Sequence, residues 1–310
     1  MLVLNTLAPV FLIIAIGAVL QRSAFVSANF LREANRVTYW LGLPALLFSQ
    51  LAASFHEVAG AKLLLGVMLG STVIAALLAY AVAWLLRVPG AATGTFVQGA
   101  FRGNLAFVGL PILYALPDAT VAGGMSLRTA AILLVAPTMV FYNVAGVVVL
   151  LLSQHAFGWK MTAPLLKQLA RNPPLLATVA GIAVALSGWP LPAAVNKTFE
   201  ALGEMALPLG LLGVGGALVT VKFGDTWRHP LGAALVKTMV SPALVWVVGS
   251  AAGVGPAELK MLMILMATPT AVVSYTIAVE LKGDEQLASA TIVASVITSL
   301  VALAVIVGAF

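Results

Sequence analysis

The chain has 310 residues, 62% of them hydrophobic and 8% charged, against about 25% charged in a soluble domain. Its net charge is +6 and it has no cysteine, which excludes a soluble fold, disulfides, a thiolate metal site and a cysteine nucleophile. The cations fall between apolar runs, so they read as topology signals and not as a nucleic-acid footprint.

In chain order, the first run is MLVLNTLAPVFLIIAIGAVL. It lacks a basic leader region and many further spans follow, so it reads as a retained first helix. Ten spans are predicted, at 5–22, 35–54, 62–86, 97–116, 125–152, 172–188, 198–221, 230–253, 258–281 and 286–309. Each is about as long as a membrane crossing requires. The one sizeable connection, 153–171, separates a five-helix repeat at 1–152 from a second at 172–310.

A shift of 164 residues places Pro9 on Pro173, Gly17 on Gly181, Leu43-Pro44 on Leu207-Pro208 and Leu47 on Leu211. A shift of 158 places Arg102 on Lys260 and Pro111 on Pro269. Five spans per copy is an odd number, so the second copy enters the membrane upside down. The predicted fold is an all-α polytopic membrane protein of ten transmembrane helices, a 5+5 inverted repeat with broken crossover helices in spans 4 and 9.

Orientation follows from the basic residues. With the N-terminus outside, Arg22, Arg32, Arg36, Arg87, Lys160, Lys167, Arg171, Lys222, Arg228 and Lys282 lie inside. Only Lys62, Arg128, Lys197 and Lys260 then lie outside. This asymmetry predicts both termini outside the cell membrane and the 153–171 loop in the cytoplasm.

The chemistry is expected at the interrupted stretches GNLAFVGLPILYAL and MLMILMATPTAVVSYTIA. Proline breaks or kinks a helix, and paired interruptions are the best sequence pointer to a transporter's binding site. Gly109 before Pro111 allows a sharp turn, and Thr268 before Pro269 reads as an N-cap with proline in the first turn. Each break would then start a half-helix whose free N–H groups and positive dipole end suit an anion. Two ordinary kinks are the plainer alternative. Asn104, Thr268, Thr270 and Ser274 cluster around the breaks and supply neutral donors for a small carboxylate. Any one hydroxyl is as readily explained by a bond to its own helix, whereas a lone amide in lipid needs a partner.

Arg102 and Lys237 are intramembrane cations that either snorkel to an interface or draw an anion towards the centre. Asn143 and Gln50 read as helix–helix hydrogen bonds, and Gly66–Gly70 and Gly249–Gly253 as packing faces. No acid is central to a span, His56, His155 and His229 are scattered, and no nucleotide motif appears. No metal site or cofactor is therefore expected.

RGNLAFVGLPI (102–112), ATPTAVVSYTIAVE (267–280), the paired Pro44 and Pro208, and Lys237 five residues before Pro242 resemble the auxin efflux carrier family. That resemblance spans the chain. It implies a scaffold of spans 1, 2, 6 and 7, a transport unit of spans 3–5 and 8–10, an elevator-like movement and a homodimer. It also implies a carboxylate at the crossover, with Asn104 as a substrate contact and Pro269 as the second crossover. Ser274 stands where the plant exporters have a second proline, and their long central loop is missing, which points to a small carboxylate metabolite in place of auxin. The rival readings are a bile-acid-type sodium symporter, a non-transporting sensor or subunit, and an intramembrane enzyme.

Overall fold

The computed structural model describes residues 2–54, 62–117, 119, 126–154, 170–188, 191–220 and 227–309. Helices make up most of the described residues, and each of the ten predicted segments falls on a helix or a helix pair. They are α1 (Leu2–Arg22), α2 (Ala28–Val37), α3 (Leu43–Ser54), α4 (Lys62–Leu85), α5 (Gly90–Phe101), α6 (Leu110–Ala115) and α7 (Leu127–Gln154). The second half holds α8 (Pro173–Ser187), α9 (Ala193–Glu204), α10 (Ala206–Thr220), α11 (Arg228–Leu235), α12 (Ser241–Ala251), α13 (Pro256–Ala267), α14 (Val273–Glu280) and α15 (Glu285–Ala309). Most of the predicted 153–171 connection lies outside the described residues.

Local chemistry sets several ends. Ser27 accepts the Phe30 N–H at 3.0 Å and starts α2. Asn172 does the same for Leu175 at 3.1 Å, ahead of two prolines in the first turn of α8. Gly188 closes α8 with φ at 67°, a conformation open to glycine.

Three short π-helical turns lie among the described residues, at Thr38–Gly42, Leu105–Gly109 and Val236–Val240. Each ends two residues before a proline: Pro44, Pro111 and Pro242. A proline offers no N–H, and its ring collides with the carbonyl one turn earlier. A turn widened to five residues absorbs the collision without ending the helix. Pro44, Pro111 and Pro242 are thereby accommodated inside continuous helices.

The polarity is that of a membrane protein. Leu77, Trp84, Val247 and Val305 face outward, while Thr38, Thr72, Gln98, Thr238 and Ser295 are buried, the inverse of a water-soluble fold. Many buried hydroxyls return to their own helix, as Thr72 does to Met68 and Thr238 to Ala234, so lipid meets few free donors. The continuous helices α4, α7, α11–α12 and α15 are each long and apolar enough to cross a membrane.

Packing divides the helices. α1 lies against α10, and α3 against α8 and α9. Backbones meet closely at the first pair: a Cβ on Gly17 would strike the Leu212 backbone, and one on Gly215 the Ile14 carbonyl. Elsewhere α5 packs on α7, α11 on α15, and α12 on α13 and α4. The expected glycine faces are only partly used. A Cβ on Gly249 would meet Leu259 and Val67, Gly253 ends a helix with φ at 73°, and a Cβ on Gly66 or Gly70 would meet nothing within 4 Å among the described residues.

Candidate functional site

α5 stops at Phe101, and the next helical residue is Leu105. α13 stops at Ala267 and α14 begins at Val273. The two extended breaks cross as an antiparallel bridge between Gly103 and Thr270. The Asn104 N–H donates to the Pro269 carbonyl, and the Ala271 N–H to the Arg102 carbonyl, both at 2.9 Å. Away from water, unwound backbone must find such partners, and here each break supplies the other's.

This corrects the sequence reading at three positions. Pro111 is not at the break; it sits in the helical run 105–115, seven residues beyond Asn104. Gly109 has ordinary helical angles and packs tightly on Leu265 and Thr268, so its role is close approach and not a turn. Thr268 is the C-cap of α13, and its hydroxyl donates to the Leu265 carbonyl at 2.7 Å. It does not open a half-helix. The offset between elements also differs from the one that aligned the prolines. α4 and α11 begin 166 residues apart, as do α5 and α13. On that offset Pro269 stands opposite Gly103, and Pro111 has no proline counterpart.

Thr270 holds the crossing together: its N–H donates to Ser295 Oγ at 2.9 Å and its hydroxyl to the Gly99 carbonyl at 2.7 Å. Ser274 is buried, and its hydroxyl has no partner among the described residues. Asn104 is 5% exposed. Its side chain makes no cap bond, and the residue lines a small pocket at the crossover.

The crossover side of that pocket is Asn104, Phe107, Ala271, Val272, Val273 and Thr276; the opposite wall is Leu43, Leu46, Ala206 and Leu207. The first N–H groups after each break, Leu105–Phe107 and Val272–Val273, find no acceptor among the described residues. Two helix starts of positive dipole thus reach one cavity, as an anion requires.

Both cations are enclosed by protein, and neither snorkels. Arg102 is 4% exposed, and its guanidinium donates to Asn143 Oδ1 and reaches the Tyr142 carbonyl. Asn143 is thereby the interhelical bond expected of it. Lys237 is fully buried and donates to the Met266 carbonyl. The Gln50 side chain lies outside the described residues.

Three features escaped the sequence reading. The apolar wall from α3 and α10 was signalled only by the repeated Leu-Pro pairs at 43–44 and 207–208. Ser295 lies in a buried stripe with Thr291 and Ser299, whose four-residue spacing was visible. Gln98 is buried beside Arg102, with both amide atoms unpartnered among the described residues.

Comparison with known proteins agrees with a carrier. The chain is 25% identical over 313 residues to a Rhizobium meliloti (strain 1021) protein named "Putative malonate transporter", covering 97% of this chain and 92% of that one. The family described as membrane transport protein matches residues 2–156 and 148–307. With nearly its whole length matched, the chain belongs to that family, the auxin efflux carriers.

Proposed function

We propose that the protein is a secondary transporter of small organic anions, binding a carboxylate at the crossover of its two broken helices. The observation that carries this is the convergence of two helix starts and the uncommitted Asn104 amide on one pocket. The malonate named for the relative makes malonate-like carboxylates the first substrates to try. No catalytic role is assigned to any residue.

The movement we favour is of the elevator type. Spans 3–5 and 8–10 would slide with the substrate against a scaffold of spans 1, 2, 6 and 7. Supporting this, α1 and α3 pack mainly on α10 and α8, and the pocket lies where α3 and α10 face the crossover. The recurring 166-residue offset supports a 5+5 inverted repeat of ten spans. A homodimer in the plasma membrane completes the reading.

An anion held by helix N-termini and an amide should outbind its neutral analogue by about 1–3 kcal/mol, roughly tenfold to a hundredfold. Malonate should raise the unfolding temperature of the purified protein at concentrations where dimethyl malonate does not. Equal stabilisation by acid and ester would remove the carboxylate from the proposal.

Both termini are proposed to lie outside. Ser23 is exposed between α1 and α2, and no native cysteine interferes. A Ser23→Cys variant should therefore react with a membrane-impermeant maleimide only after the cells are opened. Labelling of intact cells would invert the assigned orientation.

A further inference from the structure

We propose that Arg102, Gln98 and Asn143 build a second anion site, behind the crossover and separate from its pocket. It takes an inorganic anion of halide size as the counter-ion of the Arg102 guanidinium. The inference does not depend on which substrate the crossover carries. Gln98 and Arg102 lie one turn apart at the end of α5, and Asn143 and Gly146 about one turn apart on α7, which packs on it. Side chains three or four residues apart share a helix face, and these two faces meet. A Cβ placed on Gly146 would stand 2.9 Å from Gln98 Nε2 and 3.0 Å from Arg102 Nη1. Amide and guanidinium therefore converge on one point of α7, at a residue with no side chain. Asn143 joins them, its Oδ1 accepting from Arg102 Nη2.

Donors outnumber acceptors in this cluster. The guanidinium meets only neutral oxygens, Asn143 Oδ1 and the Tyr142 carbonyl, and no carboxylate pairs with it among the described residues. Gln98 is fully buried, and neither of its amide atoms has a partner among those residues; nor has Asn143 Nδ2. Enclosed polar groups left without protein partners call for an ordered water or an ion. Water would answer the amides and leave the charge, whereas a buried cation in a membrane protein is costly until it is countered. An anion answers both, accepting charge-assisted bonds from the guanidinium and neutral ones from the amides. The amide atoms have no access to solvent, which suits a monatomic anion and not an organic one. Arg102 also belongs to the crossing, its carbonyl accepting the Ala271 N–H at 2.9 Å. An ion that fixes its side chain thereby steadies the bridge.

The experiment follows thermal unfolding of the purified protein in sodium chloride, bromide and methanesulfonate of equal ionic strength. Wild type should unfold at least about 3 °C higher in either halide than in methanesulfonate, and the rise should saturate with halide concentration. Gln98→Leu, which removes an amide outside the crossover pocket, should unfold within about 1 °C in all three salts. Arg102→Gln, which removes the charge, replaces it if the leucine variant does not fold. Asn104→Ala should keep the halide rise of wild type. Equal unfolding of wild type in the three salts would overturn the inference. So would a halide rise that survives in Gln98→Leu and Arg102→Gln, or one lost in Asn104→Ala alone, since either places the anion elsewhere. Failure of wild type to take up malonate would strike the proposed substrate and leave this measurement to decide the halide site.

Discussion

Asn104→Ala should lower malonate affinity, and uptake at limiting substrate, at least about tenfold, while the unfolding temperature without substrate stays near that of wild type. The amide makes no hydrogen bond among the described residues and lines the pocket, so its removal strands no buried partner there in the empty protein. In the bound state the substrate loses a donor, at a cost of about 1–3 kcal/mol. Asn104→Asp keeps the shape and reverses the sign of the interaction. A carboxylate facing an anion should cost more than the alanine truncation, because like charges at short range repel strongly in a partly desolvated site. Thr276→Val should act in the same direction as alanine at 104, but more weakly, since the backbone donors of Val272 and Val273 remain. Titration of the three variants with malonate, followed by thermal shift and uptake, checks the order. If Asn104→Asp binds malonate as well as wild type, the anion does not sit beside residue 104.

The helices were legible because lipid demands long apolar runs, and each predicted span falls on a helix or a helix pair. Asn104 stands out in the sequence for the same reason, an amide in lipid needing a partner, and the structure places it at the crossover pocket. What misled the reading was proline. Pro111 and Pro269 look alike in sequence, yet one is absorbed by a π-turn and the other lies in unwound chain. The difference depends on the partner: backbone unwinds where a second break can satisfy it, and that pairing is a long-range fact. Gly103, the residue that permits the bridge, has no local signature among 28 glycines. The hydroxyls show the same limit. Thr268 and Thr270 sit two residues apart, yet one bonds within its own helix and the other ties the crossing to α5 and α15. Whether Lys237 snorkels or stays buried likewise depends on what surrounds it, here a carbonyl at a helix end and the gap at Gly103.

These two readings of the crossover can be set against each other. If the fourth span breaks at Pro111, replacing that proline should be the damaging change; in the structure, Gly103 is the vulnerable position. A Cβ at Gly103 would lie 2.6 Å from Thr268 Oγ1 and 2.9 Å from Lys237 Cε. Neither neighbour yields easily, because Thr268 is bonded to Leu265 and Lys237 to Met266. Gly103→Val must therefore push the breaks apart and stretch the two 2.9 Å bonds that join them. Overpacking of about 1–3 kcal/mol, with a similar cost for a stranded backbone amide, predicts a loss of roughly 2–6 kcal/mol. The variant should unfold several degrees lower and transport less than a tenth as fast, with Gly103→Ala between it and wild type. Pro111→Ala, at an exposed position inside a continuous helix, should change stability by less than about 1 kcal/mol, since alanine suits a helix at least as well. Thermal unfolding and malonate uptake of the three variants at matched expression decide between the readings. A damaging Pro111→Ala beside a silent Gly103→Val would return the break to the proline.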